Sequence, residues 1–307
     1  MKNGIGMEES NGKLKLLAVL AHPDDESFGM GGTLALYARR GVEVHLVCAT
    51  RGEVGEVTPD MMKGYSTVAE LRESELRCAA GVLGLAGVHF LGYRDSGMPG
   101  SPDNHHPKAL AAAPLDEVAA AVTGYIRKIQ PQVVLTFDPI GGYRHPDHIA
   151  IQQATAKAFM AAGDAEMYPD GLPAFQPQKL YFNTISRQFL RFTVRVLRLL
   201  RKDPHKWGKN GDIDLVSLAE VEFPTHAEVD FTSVAELRAA AGECHASQGG
   251  KNMARGFQGW IMNRFRSKET YMRAYPPPVD GQIERDLFAG VTHSNGRPNL
   301  VVTKLSE

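Results

Sequence analysis

Leu14 to Ala21 (LKLLAVLA) is apolar at every position but Lys15 and stops at once on polar residues. A run so short and so continuous needs apolar cover on both faces, which places it inside a parallel sheet. Parallel neighbours need crossovers, and the chain supplies them. A Gly-rich turn leads to a helical stretch from Gly29 to Arg40 and a second apolar run, Glu43 to Thr50 (EVHLVCAT), making a βαβ unit. Thr67 to Gly84 carries a helical stripe (Val68, Leu71, Leu76, Ala79, Val82, Leu83) ahead of a short strand, Val88 to Leu91. Leu115 to Gln130 reads as a helix ended by Pro131, and Gln132 to Asp138 as a buried strand before a helix from Asp147 to Ala162. The expectation is an α/β fold, a doubly wound, mostly parallel Rossmann-like sheet over residues 13–163, serving as a metal-binding catalytic core.

Beyond Gly163 the pattern weakens. Strands are expected at Lys179 to Asn183 and Ala227 to Phe231, and helices at Ser186 to Lys202 and Ser233 to Ala246. Residues 164–307 are read as a C-terminal substrate-specificity or cap region, separate or part of the same domain; Asn252 to Pro278 shows no usable period. With 34 Lys and Arg against 35 Asp and Glu, the 307-residue chain is nearly neutral, which excludes a strongly basic nucleic-acid binder. No stretch approaches the roughly 18 apolar residues of a membrane span. Three cysteines, Cys48, Cys78 and Cys244, share no CxxC spacing. They argue against a disulfide scaffold and for a cytoplasmic protein, with Cys48 and Cys78 as inert core residues. The polar start up to Lys13 is expected to be frayed.

Chemistry concentrates at two strand ends. Ala21-His22-Pro23-Asp24-Asp25-Glu26 follows the first strand and Gly141-Gly142-Tyr143-Arg144-His145-Pro146-Asp147-His148 follows the fourth. Either motif alone could be a polar turn into a helix, with Asp147 near orphan N–H groups. In an open parallel sheet, however, both loops emerge at the carboxyl edge where ligands bind, so the two motifs converge. A hydrolytic zinc needs three protein ligands and an open position for water, and His22, Asp25 and His148 supply that set. Asp24 is then free to act as general base on a water whose pKa zinc lowers from about 15.7 to about 7. His145 is expected off the metal, its protonated ring holding the developing oxyanion or reprotonating the leaving group, with Asp147 orienting it; spacing alone does not decide between His145 and His148 as ligand.

These strings resemble the LmbE-like superfamily of zinc-dependent N-acetylglucosamine deacetylases, which includes the N-acetylglucosaminyl-phosphatidylinositol de-N-acetylases. TRGEVGE, LRESEL and YRDSGM bring the likeness closest to its mycothiol-pathway branch of deacetylases and S-conjugate amidases, over roughly residues 14–165. The resemblance implies zinc on His22, Asp25 and His148, Asp24 as base, and His145 backed by Asp147. It further implies that Arg72 and Asp95 reach the substrate sugar or its aglycone, that Glu53 lies close by, and that Tyr143 moves over the reacting amide. On residue chemistry alone, Arg72 with Glu73 or Glu75 is an ordinary helix-surface ion pair, and Asp95 a turn residue before Gly97. Arg144 stands where those relatives carry a small residue or Pro, a cation that would narrow the pocket or favour an anionic aglycone.

The leading expectation is therefore a hydrolase that deacetylates a small amino sugar. A mycothiol-like S-conjugate amidase is its near alternative, and two His with one carboxylate equally compose the Fe(II) site of non-haem oxygenases, so Zn2+ and Fe2+ both enter. A non-catalytic sugar- or metal-binding module is the third possibility. Gly29-Met30-Gly31-Gly32 departs from a dinucleotide fingerprint at Leu34 and reads as helix-to-sheet packing. The cations Arg187, Arg191, Arg195, Arg198, Arg201 and Lys202 alternate with apolar residues at helical steps. They suit either anionic lipid or, more ordinarily, a solvated helix packed on the core. Small-molecule substrate, no nucleic acid and no membrane insertion complete the expectation.

Overall fold

The computed structural model describes residues 12–208, 211, 213–250, 267–279 and 281–292. A seven-stranded sheet runs in the order β3-β2-β1-β4-β5-β7-β6. Its strands are β1 (Lys15–Leu20), β2 (Glu43–Cys48), β3 (Gly87–Phe90), β4 (Val133–Phe137), β5 (Lys179–Thr184), β6 (Ala227–Asp230) and β7 (Lys268–Tyr275). Only β7 runs antiparallel to its neighbours β5 and β6. The helices are α1 (Asp25–Gly29), α2 (Gly31–Arg39), α3 (Val68–Leu83), α4 (Leu115–Ile129), the kinked turn α5 (Gly141–Arg144), α6 (Pro146–Ala161), α7 (Arg187–Leu199), α8 (Leu215–Leu218) and α9 (Ala235–Cys244). Among the described residues no helix is long and apolar enough to cross a membrane.

The doubly wound, mostly parallel sheet expected from the apolar runs is present. β1 and β4 are buried almost throughout, each lying between two other strands in the middle of the sheet. They pair with each other from Leu16 opposite Val133, while β2 lies on the other side of β1. The strand order therefore reverses between β1 and β4, and the loops leaving their carboxyl ends open at that switch point. Helix α3 starts on a capping box: Thr67 accepts from the Glu70 N–H, and Glu70 accepts from Ser66. Gly32 allows α2 its close approach, since a Cβ there would lie 2.2 Å from the Phe231 ring.

β7 went unread in the sequence for a physical reason. Its inward positions are Glu269 and Tyr271, so a charge stands where the pattern calls for an apolar residue. Glu269 is buried because it accepts from the backbone N–H groups of Gly32 and Thr33 at the start of α2. Residues 252–266 of the period-less segment and the start before Gly12 lie outside the described residues.

The cysteine reading is corrected. Cys78 is exposed on α3 and forms a disulfide with Cys244 at the end of α9, 166 positions away; Cys48 alone is free, buried in β2. The pairing joins helices that pack side by side, a proximity that no local spacing reveals. Ellman titration of denatured, unreduced protein is expected to count one thiol and the reduced protein three; three in both would remove the bridge.

Candidate metal centre

Both motifs are delivered to the switch point by the ends of β1 and β4. His22 leaves β1, and Pro23 leads to Asp24, whose φ of 117° lies in the left-handed region that a non-glycine residue rarely occupies. That backbone turns Asp25 back, so that its carboxylate accepts the His22 N–H at 2.7 Å. On the β4 side, Pro146 opens α6, and Asp147 and His148 fall in its first turn.

His22, Asp25 and His148 converge. His148 Nε2 lies 3.3 Å from His22 Nδ1 and 3.3 Å from Asp25 Oδ1, and His22 Nδ1 lies 3.6 Å from Asp25 Oδ2. A tetrahedral ion with bonds of about 2.1 Å separates its ligand atoms by roughly 3.4 Å, so the three donors fit zinc. The outer nitrogens agree with that role. His148 Nδ1 faces the Gly141 carbonyl at 3.2 Å and His22 Nε2 faces the Asp147 carboxylate at 3.0 Å, as the second nitrogen of a metal-ligating histidine usually does. Two other tight donor groups share the site, His22 with His145 and His148, and His22 with Asp95, His145 and Asp147.

Asp147 stands differently from expectation. Its carboxylate serves His22 and takes the N–H and hydroxyl of Ser96, and only its backbone N–H reaches His145, at Nδ1, 3.2 Å away. His145 thereby caps α6 with Nδ1 as acceptor, which leaves the proton of the neutral ring on Nε2. Burial, and then the neighbouring His22 and His148, press its pKa down to about 2, in the same direction as the Nδ1 contact, which favours the neutral ring. Burial opposes charge on His22, but Asp95 and Asp147 carry its pKa well above the ordinary value. Burial likewise resists the charge of Asp25, and His148 and His22 overcome it.

Arg72 is not a surface pair. It is 4% exposed and donates to the Pro23 carbonyl at 2.6 Å, the Asp24 carboxylate at 3.1 Å and the Gly52 carbonyl at 3.1 Å, holding the Asp24 loop from below. Gly52, with φ 68°, is required there, because a Cβ would lie 2.0 Å from the guanidinium. Glu73 pairs instead with Arg51 and Arg77. Burial pushes the Asp24 carboxyl up to about 6 against the pull of Arg72. Arg72→Met is therefore expected to move the acid limb of the rate profile to higher pH, since the base works ionised. Arg72→Lys should leave it near the wild-type position; coincident limbs for Met and wild type would deny the coupling.

Asp95 is buried 3.5 Å from His22 Nε2 and accepts from Gly97; Glu53 accepts the Asp95 N–H at 3.0 Å. Thus Asp95 faces the metal-side histidine, with Glu53 behind it. The Tyr143 ring stands 4.9 Å from His148 and 5.9 Å from His145, while Arg144 is exposed with φ 70°.

Three participants were missed as such. Ser96 braces Asp147. Glu26, fully buried, accepts from the Asp24 N–H at 3.0 Å, from Ser27, and pairs with buried His245 at 2.6 Å. Glu75 holds Ser247 through both its N–H and its hydroxyl. Glu26 and His245 stand in the strings AHPDDE and HASQ, but nothing local links residues 219 positions apart.

Residues 17–159 match the family described as PIG-L, GlcNAc-PI de-N-acetylase. A 1D-myo-inositol 2-acetamido-2-deoxy-alpha-D-glucopyranoside deacetylase of Streptomyces avermitilis is 37% identical, covering 76% of this chain and 82% of that protein. The enzyme of the same name from Rhodococcus erythropolis is 35% identical over 90% of this chain and 97% of its own. Among solved structures, the N,N'-diacetylchitobiose deacetylase of Pyrococcus horikoshii shares the fold, with a TM-score of 0.57 at 23% identity over 84% of this chain and 83% of that one.

Proposed function

Because this chain belongs to the PIG-L, GlcNAc-PI de-N-acetylase family, we propose that it removes the acetyl group from an N-acetylglucosaminide of inositol, releasing acetate and the free amine. The observation that carries this reading is the trio His22, Asp25 and His148, each histidine with its outer nitrogen engaged, beside an Asp24 that Arg72 holds in place. Zinc on that trio, or Fe2+ in its stead, would polarise the amide carbonyl and acidify water.

Asp24 takes the proton of the attacking water as the water oxygen bonds to the carbonyl carbon. The neutral His145 donates from Nε2 to the oxygen on which negative charge develops. The C–N bond breaks as the nitrogen takes up a proton, returned by Asp24. Asp147 and Ser96 keep the His22 ring in place, and Asp95 with Glu53 bounds the site beside it. Tyr143 lies where it can cover the amide. Residues 13–163 form the catalytic core in this proposal, residues 164–307 set the aglycone, and the substrate is a small molecule.

Incubating zinc-loaded protein with acetylglucosaminyl-inositol and detecting primary amine tests the reading. Glucosaminides with other aglycones, a longer acyl group and a thioether-bearing S-conjugate complete the panel. Turnover of the S-conjugate in preference to the acetyl compound would make the enzyme an amidase of the related kind. No amine from any member would end the hydrolase proposal.

A further inference from the structure

Helix α7 presents two apolar ridges. Leu190, Val194 and Leu197 are buried against Leu215 and Leu218 of α8, in a small cluster that also receives Ile140 and Tyr143. At 100° per residue, Phe192, Val196 and Leu199 fall on the other side of the same helix. There Phe192 is 55% and Leu199 83% exposed, and Leu200 just beyond is 52% exposed. Next to this outer ridge runs a third, Arg191, Arg195 and Arg198, and Lys202 follows just past the helix end; all four are exposed. Among the described residues none of the four makes an ion pair, whereas Arg187 at the helix start is paired with Glu222.

We propose that this outer face docks the enzyme peripherally on an anionic phospholipid bilayer, the apolar ridge entering the acyl boundary and the cations meeting the phosphates. Charge selects this occupant. Residues 187–202 carry Arg and Lys at helical steps and no Asp or Glu, so the positive charge of this face is not offset within its own element. The chain's own undescribed segments offer no acidic run: residues 251–266 contain four cations and no acid, and residues 1–11 and 293–307 are mixed. A second copy laid ridge to ridge would oppose like charges. A nucleic acid would be met by phosphate-seeking arginines but would leave Phe192 and Leu199 in water. An apolar ridge beside a basic one matches a lipid interface, where both are satisfied together. The proposal departs from the expectation of no membrane insertion only to the depth of the side chains of this ridge, and a helix lying in the interface spans nothing.

The test floats full-length, zinc-loaded protein with vesicles of phosphatidylglycerol and phosphatidylcholine, and with phosphatidylcholine alone. Binding is expected to the anionic vesicles at low salt and to be largely lost at 1 M salt. Arg191→Glu/Arg195→Glu/Arg198→Glu should lower partitioning by at least about 10²-fold. Phe192→Ser/Leu199→Ser should lower it by on the order of 10-fold while keeping the salt dependence. Circular dichroism and unchanged hydrolysis of a soluble substrate check both variants. Salt titration of the unmodified protein tests the charge contribution even where a variant fails to fold. Equal partition onto neutral vesicles, flotation with neither, or full binding by the triple variant would overturn the proposal. So would loss of self-association or of nucleic-acid binding, rather than of vesicle binding, in that variant.

Discussion

Asp24→Ala is expected to retain the bound metal and to lose about 10²-fold or more in kcat, the scale of a general base, while His22→Ala loses the metal itself. The difference follows from position. His22 Nδ1 lies within 3.6 Å of both other donors of the trio and is braced behind by Asp147, so its removal takes away one of three ligands. Asp24 accepts from Arg72 instead, a guanidinium that also donates to the Pro23 and Gly52 carbonyls, and its own N–H is held by Glu26. Truncating it removes a proton acceptor and leaves the three donors in place. Asp24→Asn should behave like Asp24→Ala in rate, since an amide keeps the shape but takes no proton. Metal content by plasma emission and steady-state kinetics read the two effects separately. Equal metal loss in both variants, or a His22→Ala protein with full metal, would reverse the assignment.

The parallel core was legible because β1 and β4 are buried on both faces, and such strands leave an unbroken apolar run. β7 was not, because Glu269 faces inward to serve the start of α2, a role settled by packing between elements more than 230 residues apart. The convergence of the two histidine motifs was legible for a topological reason: loops at the carboxyl ends of parallel strands share one edge. What the side chains do after convergence was less so. Asp147 sits two residues from His145, which suggested that they pair, yet the helix start turns its carboxylate across the switch point to His22. Arg72 occupies a helix position where Glu73 and Glu75 are available at surface spacing, and only the fold shows it buried under Asp24. The Cys78–Cys244 bridge and the Glu26–His245 pair depend on where α9 ends, and no local pattern in the second half of the chain determines that.

Glu26→Ala is expected to destabilise the protein by about 3–5 kcal/mol, the usual result of stripping one partner from a buried ion pair. It strands His245 without its carboxylate and leaves the Asp24 N–H without an acceptor. The pH dependence identifies the pair. Burial opposes charge on His245, but Glu26 raises its folded pKa above the ordinary value near 6.5. A group whose pKa is raised by folding contributes most below its unfolded pKa, and the contribution fades as pH climbs through the folded one. The melting temperature of the wild type should therefore exceed that of His245→Gln most clearly below about pH 6.5, the gap narrowing on the alkaline side; a gap constant with pH would deny the ion pair. Glu26 has a second role that stability does not report. Asp24 holds a left-handed φ of 117°, and the Glu26 carboxylate anchors its N–H. Replacing both partners by leucine should recover much of the lost stability, because no buried charge remains unpaired. It should not recover kcat, since the loop that aims the base has lost its anchor. If kcat returned with stability in the double variant, Glu26 would be a core residue only.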